Sequence, residues 1–352
     1  VLHPFAKIES NGSYVSNVEL RKGIEQRPLF ATLERLSPDL AIKWSDRLNS
    51  TESIACEWAL AMCFEKAMSV KVPQRALYLR MLAAEIQRLI WLYTYLTSIF
   101  RAIGDTIRAQ QALRLREFLL SAQEIFTGSR VLPQVLCVGG IERDLSLGEI
   151  RKIRETILGS SREMSRFFSG LGSDVLLQRR LTDVAPVRAD LCATLRWGGI
   201  VGRASGFDFD VRKLKPYGCY LHFALPATPP PHRDTSNHAF SDGLGRLKTA
   251  VAAIGATVDL ALAILERLPD GPSFEEVKFS DPAISADTGW SAMVEAGSGC
   301  LYATVTDSSI RIRTTSMRVA PAINEILRGI HIEDLEIGLA SLGFDATEAD
   351  LR

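Results

Sequence analysis

The sequence predicts a mainly α protein: a bundle of long helices with a small β element assembled from both ends of the chain. Three observations predict it. Helical periodicity runs from about residue 50 to residue 268, punctuated at Gly and Pro. Alternating apolar and polar positions are confined to the two ends. Two of the helical stretches are apolar nearly all round, which places them at the centre of a domain.

Phe5–Leu20 reads as a hairpin. Asn11-Gly12 is a type I′ turn signal, because Gly supplies the positive φ that the turn demands. Arg21–Pro28 follows as a loop. Thr51–Val70 is the first long helix, with Asn49, Ser50 or Thr51 available as N-cap. Pro73 opens the second, where a missing N–H costs little, and this helix runs to about Ile103. Gly104-Asp105 breaks it and Thr106–Phe126 is the third. Gly128–Leu145 is a loop containing Gly139-Gly140. Glu149–Leu181 is a long, more polar helix at the periphery.

Leu195–Phe223 reads as irregular. Pro226–Asp234 holds four prolines and reads as a surface loop. Leu244–Leu268 is a further apolar helix, ended by Pro269-Asp270-Gly271-Pro272. Strands follow at Trp290–Val294, Cys300–Asp307 and Ser309–Thr315, then short helices at Ala320–Arg328 and Ile332–Leu342. The expected organisation is one domain over residues 1–352: a hairpin region (1–30), a helical core (50–270) and an α+β region (288–352).

Composition narrows the function. The 352 residues are 47% hydrophobic, with 41 basic and 41 acidic side chains and a net charge of +0. That balance argues against a nucleic-acid footprint or a polybasic membrane anchor. The six cysteines form no C-x-x-C pair, which suits free thiols in a reducing compartment, hence the cytoplasm. The first residues lack a signal-peptide pattern. Leu89–Phe100 and Val251–Leu265 are too short to span a bilayer and read as buried helices, so membrane association is expected only through partner subunits. The histidines show no metal-ligand spacing. The chain has no G-x-S-x-G, P-loop or G-x-G-x-x-G.

Two motifs carry more. Val72–Leu89 reads VPQRALYLRMLAAEIQRL, so Arg75, Arg80, Glu85 and Arg88 interrupt an apolar helix. Charges on a buried helix must be paired, and intrahelical pairing is the simplest way. Arg203–Tyr220 reads RASGFDFDVRKLKPYGCY. There Asp210 and Arg212 can form an ion pair and Pro216-Tyr217 a fixed turn.

Together these segments resemble the large subunit of complex I and of the membrane-bound nickel–iron hydrogenases. Further matches keep the same order: Lys22-Gly23-Ile24-Glu25, Asp46-Arg47-Leu48, Ala61–Lys66, Gly128-Ser129-Arg130 with Gly139-Gly140-Ile141 and Asp144-Leu145, Glu295 with Ser298-Gly299, Arg311 with Arg313 and Ser316, and Ala340-Ser341-Leu342. The resemblance implies a hydrogenase large-subunit-like helical bundle. It also implies an iron–sulfur small subunit as partner, NADH:quinone oxidoreductase-type electron transport, and a peripheral place on the cytoplasmic face of the inner membrane. Arg47, Ser50, Arg75, Arg80, Glu85, Arg203, Asp210 and Arg212 are the expected cavity-organising residues. Glu25 sits where the family uses a Glu for proton transfer; a loop Glu paired with Arg21 or Arg47 is the alternative.

The departures matter as much. Hydrogenases hold nickel and iron through two C-x-x-C pairs, since a soft dinuclear centre needs four thiolates. Leu48–Glu52 and Gly343–Glu348 stand in those places and contain no Cys. No metal centre is therefore expected in this chain. Complex I relatives hold a quinone head with a Tyr and a His; here Ser50 stands at the Tyr position and Arg21 at the alignable His. Asp242 and Gly245 replace Arg and Glu, and Arg196-Trp197 replaces less bulky residues, which implies a changed partner surface or cavity. Two readings stay open. One is a subunit that forms a cavity for quinone or another acceptor; the other is a catalytically degenerate scaffold.

Overall fold

A computed structural model describes residues 2–3, 6–21, 28–168, 170–225, 231–233, 239–277 and 289–349. Its framework is five long helices: α1 (Ser53–Ala67), α2 (Gln74–Ala102), α3 (Thr106–Thr127), α4 (Leu147–Phe168) and α5 (Gly243–Glu266). Pro73 immediately precedes α2. Arg80 to Tyr93 is buried without interruption, because α3, α5 and the later helix α6 (Leu335–Leu342) pack around this one rod. Gly104 ends α2 at φ +81°, and Asp105 starts α3 by accepting from Arg108 N at 2.9 Å. A connected apolar core reaches from Ala6 to Leu342. Among the described residues one helix, α5, is long and apolar enough to cross a membrane, and 56% of its most apolar window is buried inside the fold.

The start of α1 differs from expectation. Asn49, Ser50 and Thr51 are the sequence candidates for its cap, yet the boundary residue is Glu52. Gln87 of α2 supplies the bond instead: its Oε1 accepts from Ile54 N at 2.8 Å and its Nε2 donates to Ser53 Oγ at 2.7 Å. A tertiary partner has taken the place of a local cap, which leaves Asn49 available for other work.

The expected helix over 149–181 is divided. Ile153, Ile157, Ser160, Met164 and Phe168 form one buried stripe on α4. A new helical segment begins at Val175 because Asp174 accepts from Leu176 N and Leu177 N and pairs with Arg108 at 2.7 Å. An acid that caps is a start signal, not a mid-helix residue. Short helices at Leu29–Leu33 and Pro38–Ser45 fill a stretch with no sequence assignment. Others at Ala189–Leu195, Gly199–Ala204 and Val211–Leu214 occupy the region expected to be irregular.

The β structure is spread over several small sheets. Strands β1 (Leu2–His3), β2 (Ala6–Ser10) and β3 (Val15–Leu20) form an antiparallel sheet in that order. Ser10 lies opposite Val15, so the hairpin loop has four residues and not the expected two. Asn11 still closes it, exchanging bonds with Tyr14, and Gly12 sits at φ +104°. Strands β4 (Trp290–Glu295), β5 (Cys300–Val305) and β6 (Ile310–Arg313) form a second antiparallel sheet, with β4 and β5 against α1. The N-terminal sheet docks on the C-terminal helices: Val15 N donates to Ile330 O, Ile332 N to Ser13 O, and Val18 N to Asn324 Oδ1. After α6 comes the short helix α7 (Ala346–Ala349).

Candidate functional site

The charged residues of the two motifs meet at one place. Glu85 on α2 is fully buried and contacts Arg88 Nε at 3.0 Å, Arg212 Nη1 at 3.1 Å and the Tyr220 hydroxyl at 2.6 Å. Arg212 also grips Asp210 with two bonds, 3.0 and 2.7 Å. Arg203 lies 3.5 Å from Asp210 and 3.6 Å from Glu295. Arg88 closes the circuit through the Ala296 and Glu295 carbonyls. Three arginines thus face three acids, all at most 5% exposed. Burying an ion costs several kcal/mol, so such a set persists only when it is mutually paired.

The pairing sets the protonation. Burial alone would raise Glu85, but Arg88 and Arg212 outweigh it and hold the carboxyl below its ordinary value. Burial opposes ionisation of Asp210 too, and Arg212 again outweighs it. Glu295 is the exception: burial, then the charge of Asp210, push it up to about 7 despite Arg203. Its Oε1 and Arg203 Nη1 are both buried without a hydrogen-bond partner, facing each other at 3.6 Å.

The structure brings Glu85, Arg203, Asp210 and Arg212 into this group. Arg88 and Glu295 complete it, and both belong to the quoted motifs although neither is among the expected cavity residues. Arg80 works elsewhere. Fully buried, it holds Glu65 at 2.6 and 3.1 Å and the Cys137 and Gly140 carbonyls at 2.8 Å, which fastens the 128–145 loop to α1 and α2. Arg75 ties the first turn of α2 to Asp144, Leu145 O and Pro269 O. Arg47 is half-buried, paired with Asp46 at 2.8 Å and stacked on Trp44. Ser50 is exposed. Glu25 lies outside the described residues, with the rest of 22–27.

A cavity of about 370 Å³ opens beside this group. Its walls are mostly apolar: Ile8 and Val18 of the N-terminal sheet, Trp91 and Tyr95 of α2, Leu339 of α6, and Phe344. Trp91 and Tyr95 stack in parallel at 5.2 Å. One end is polar, formed by Asn49, Glu52, Ser298 and Glu348. A second, water-sized void is bounded by Glu52, Arg88 and Glu295, so Glu52 stands between the cavity and the ionic group. Glu52 and Glu348 are legible in the sequence only as the acids within the two cysteine-free stretches. Cavity walls contributed by Ile8, Trp91 and Leu339 carry no signal beyond being apolar.

The residues do not suit a thiolate-bound metal. All six cysteines are buried and free. Burial pushes the Cys63, Cys137 and Cys300 thiols up to about 12, so they stay protonated. Among the described residues, no group of three or more His, Cys, Asp or Glu side chains is arranged to hold a metal ion. Two of the replacements noted at 196–197 and 242–245, Trp197 and Asp242, have structural roles. Trp197 is 1% exposed, a core residue. Asp242 is the buried cap of α5, accepting from Gly245 N at 2.8 Å and Asp183 N at 3.0 Å.

Comparison with known proteins fixes the lineage. Residues 103–295, more than half the chain, match the family described as respiratory-chain NADH dehydrogenase, 49 Kd subunit. The chain belongs to this family. Among family members, the NADH-quinone oxidoreductase D subunit of Carboxydothermus hydrogenoformans is 28% identical over 333 residues, 92% of this chain and 86% of that one. The D subunit of Desulfotalea psychrophila is 24% identical over 351 residues, covering 98% and 92%. The C/D subunit of Phocaeicola vulgatus is 24% identical over 336 residues, and the match spans 94% of this chain but 63% of that longer one. The mainly α architecture with small sheets is that of a 49 Kd subunit.

Proposed function

We propose that this chain is the acceptor-cavity subunit of an NADH-quinone oxidoreductase-like complex. It acts as one domain over residues 1–352. Electrons arrive from an iron–sulfur partner subunit, and the cavity beside the ionic group receives a quinone or a similar acceptor. The chain itself binds no metal and reaches the membrane only through partner subunits, on the cytoplasmic face. The observation that carries this reading is the cavity of about 370 Å³, apolar along its length and polar at one end. That volume falls in the range of ligand-binding pockets, about 300–1,000 Å³. The NADH-quinone oxidoreductase relatives supply the reaction class.

Within this reading Glu85, Arg203, Asp210 and Arg212 hold the structure behind Glu52 rigid, and Arg75 and Arg80 anchor the first half of α2 to the 128–145 loop. Arg47 and Ser50 lie on the approach to α1, and Glu25 keeps the proton-transfer role implied by the resemblance. The test is reconstitution. Purified with its iron–sulfur partner, the complex should reduce a short-chain quinone, and Thr94→Trp, which fills the cavity from α2, should abolish this without unfolding the protein. Absence of reduction with several acceptors sinks the proposal.

A second reading, a catalytically degenerate scaffold, draws on one observation. Ser50 stands where relatives use an aromatic ring on the quinone, and it is exposed. Under that reading the complex assembles normally and turns over no acceptor.

A further inference from the structure

The two cysteine-free stretches, Leu48–Glu52 and Gly343–Glu348, meet in space. Asn49 joins them. Its Oδ1 accepts from Thr51 N at 2.9 Å and Thr51 Oγ1 at 2.8 Å. That fixes the amide orientation, because the nitrogen must then face the other way. The nitrogen donates to Glu52 Oε2 at 3.1 Å and to Glu348 Oε1, 299 positions away. Both carboxyls are 2% exposed.

Their partners are unequal. Glu52 also accepts from Ser298 N on Oε1 and from Ser298 Oγ on Oε2 at 2.9 Å. Glu348 accepts from Asn49 on Oε1, and its Oε2 is buried without a hydrogen-bond partner. Both acids line the polar end of the cavity. The surrounding groups do not neutralise them. Cys56 from α1 and Asp345 from the same segment offer no cation, and Thr314 and Ser316 offer only hydroxyls. Arg88 acts on Glu52 while bonded to Glu85 and two carbonyls. Arg318 senses Glu348 but donates to Thr315.

Two carboxylates sharing one buried amide cannot both stay ionised. Burial raises both carboxyls from their ordinary value, Glu348 well above it. Ser298 N, a donor that cannot accept, favours the ionised form of Glu52. Glu348 instead meets the Asn49 amide and the Thr314 and Ser316 hydroxyls, and hydroxyls can accept as well as donate. The proton therefore belongs on Glu348, since a protonated carboxyl needs an acceptor for its O–H. We propose that Glu52 and Glu348 hold one proton between them, resident on Glu348 Oε2. This O–H is the hydrogen-bond donor for the carbonyl oxygen of a neutral, apolar-tailed ligand in the cavity. The ligand half rests on the acceptor-cavity reading above; the shared proton does not. The site accordingly takes a neutral carbonyl head and rejects anionic acceptors, which would meet the charge of Glu52.

Two measurements on the full chain separate the halves. Infrared titration reads the C=O stretch of protonated carboxyls. The Glu348→Gln difference spectrum should show one such band lost at neutral pH, and Glu52→Gln should move that band's titration downward. No band lost on Glu348→Gln and no movement in Glu52→Gln overturns the shared proton. Calorimetric binding of ubiquinone-1 is the second measurement. Wild-type affinity should fall about tenfold per pH unit above the titration point of the pair, the slope for one linked proton. Glu348→Gln, whose amide still donates, should bind with a flat pH profile; Glu348→Ala should lose at least about tenfold. Binding with an unchanged pH slope in Glu348→Gln overturns the inference alone. A carboxyl band without any ubiquinone-1 binding overturns the acceptor-cavity reading together with the ligand half, and leaves the shared proton standing.

Discussion

Arg212 Nη1 donates to Glu85 Oε1 at 3.1 Å, joining residues 127 positions apart without exposing either one. The same guanidinium holds Asp210. A planar five-donor group is the side chain that can face two carboxylates at once.

Removing that guanidinium strands two buried anions. Arg212→Met should destabilise the fold by about 3–5 kcal/mol in urea denaturation. Arg212→Lys should recover little, because a point charge cannot reproduce the two-sided grip. Adding Glu85→Gln to Arg212→Met should restore part of the loss. A double variant whose losses simply add would show that the two residues are not coupled.

Glu295 gives a pH signature. Its folded value, about 7, lies above the ordinary carboxyl value of 4.5. The native state therefore binds more protons than the unfolded chain between those two values. The contribution of this group is full below the unfolded value and is lost as pH rises toward 7. Glu295→Gln should flatten that decline by on the order of 2–3 kcal/mol across the window. Equal pH slopes for wild type and variant would contradict it.

Arg80 is the tether of the 128–145 loop. In Arg80→Ala, hydrogen exchange at Val138–Ile141 should accelerate at least about a hundredfold, while the amides of α5 keep their protection. The local cost is about 3 kcal/mol or more, since Glu65 is left buried and unpaired. Protection lost evenly over the whole chain would argue against a local tether.

Asp242 satisfies two backbone N–H groups, one at the start of α5 and one on Asp183. Asp242→Ala should cost about 2 kcal/mol in thermal or urea unfolding. Asp242→Asn keeps an acceptor for only one of the two N–H groups and should recover only part of that loss. If the residue instead formed a partner surface, neither change would affect the isolated chain.

Much of this fold is legible in the sequence because long helices announce themselves. Pro73, Gly104-Asp105 and Gly128 mark boundaries to within a residue or two, since each acts through local backbone chemistry. The failures share one cause. The cap of α1 comes from Gln87 on another helix, and no local pattern encodes that. Asp174 reads as helix interior because its capping geometry depends on the 3-10 turn at Leu171–Ser173 that precedes it. The hairpin loop has four residues because the ladder shifts at Glu9/Ser10. At the site, pairing is expected within α2, and Glu85 does bond Arg88 there. Its other partners, Arg212 and Tyr220, come from a segment more than a hundred residues later. Asn49, Glu52 and Glu348 are invisible as a group, because only the fold makes neighbours of residues at opposite ends of the chain.

That separation also sets a clock. Val18 N waits for Asn324, 306 positions later, to close the sheet edge that walls the cavity. At a synthesis rate of roughly 5–20 residues per second, the wait is on the order of 15–60 s. Throughout it, Ile8 and Val18 have no C-terminal helices to cover them. A nascent chain of this kind carries that apolar sheet face uncovered until the helices around Asn324 and Ile330 have emerged.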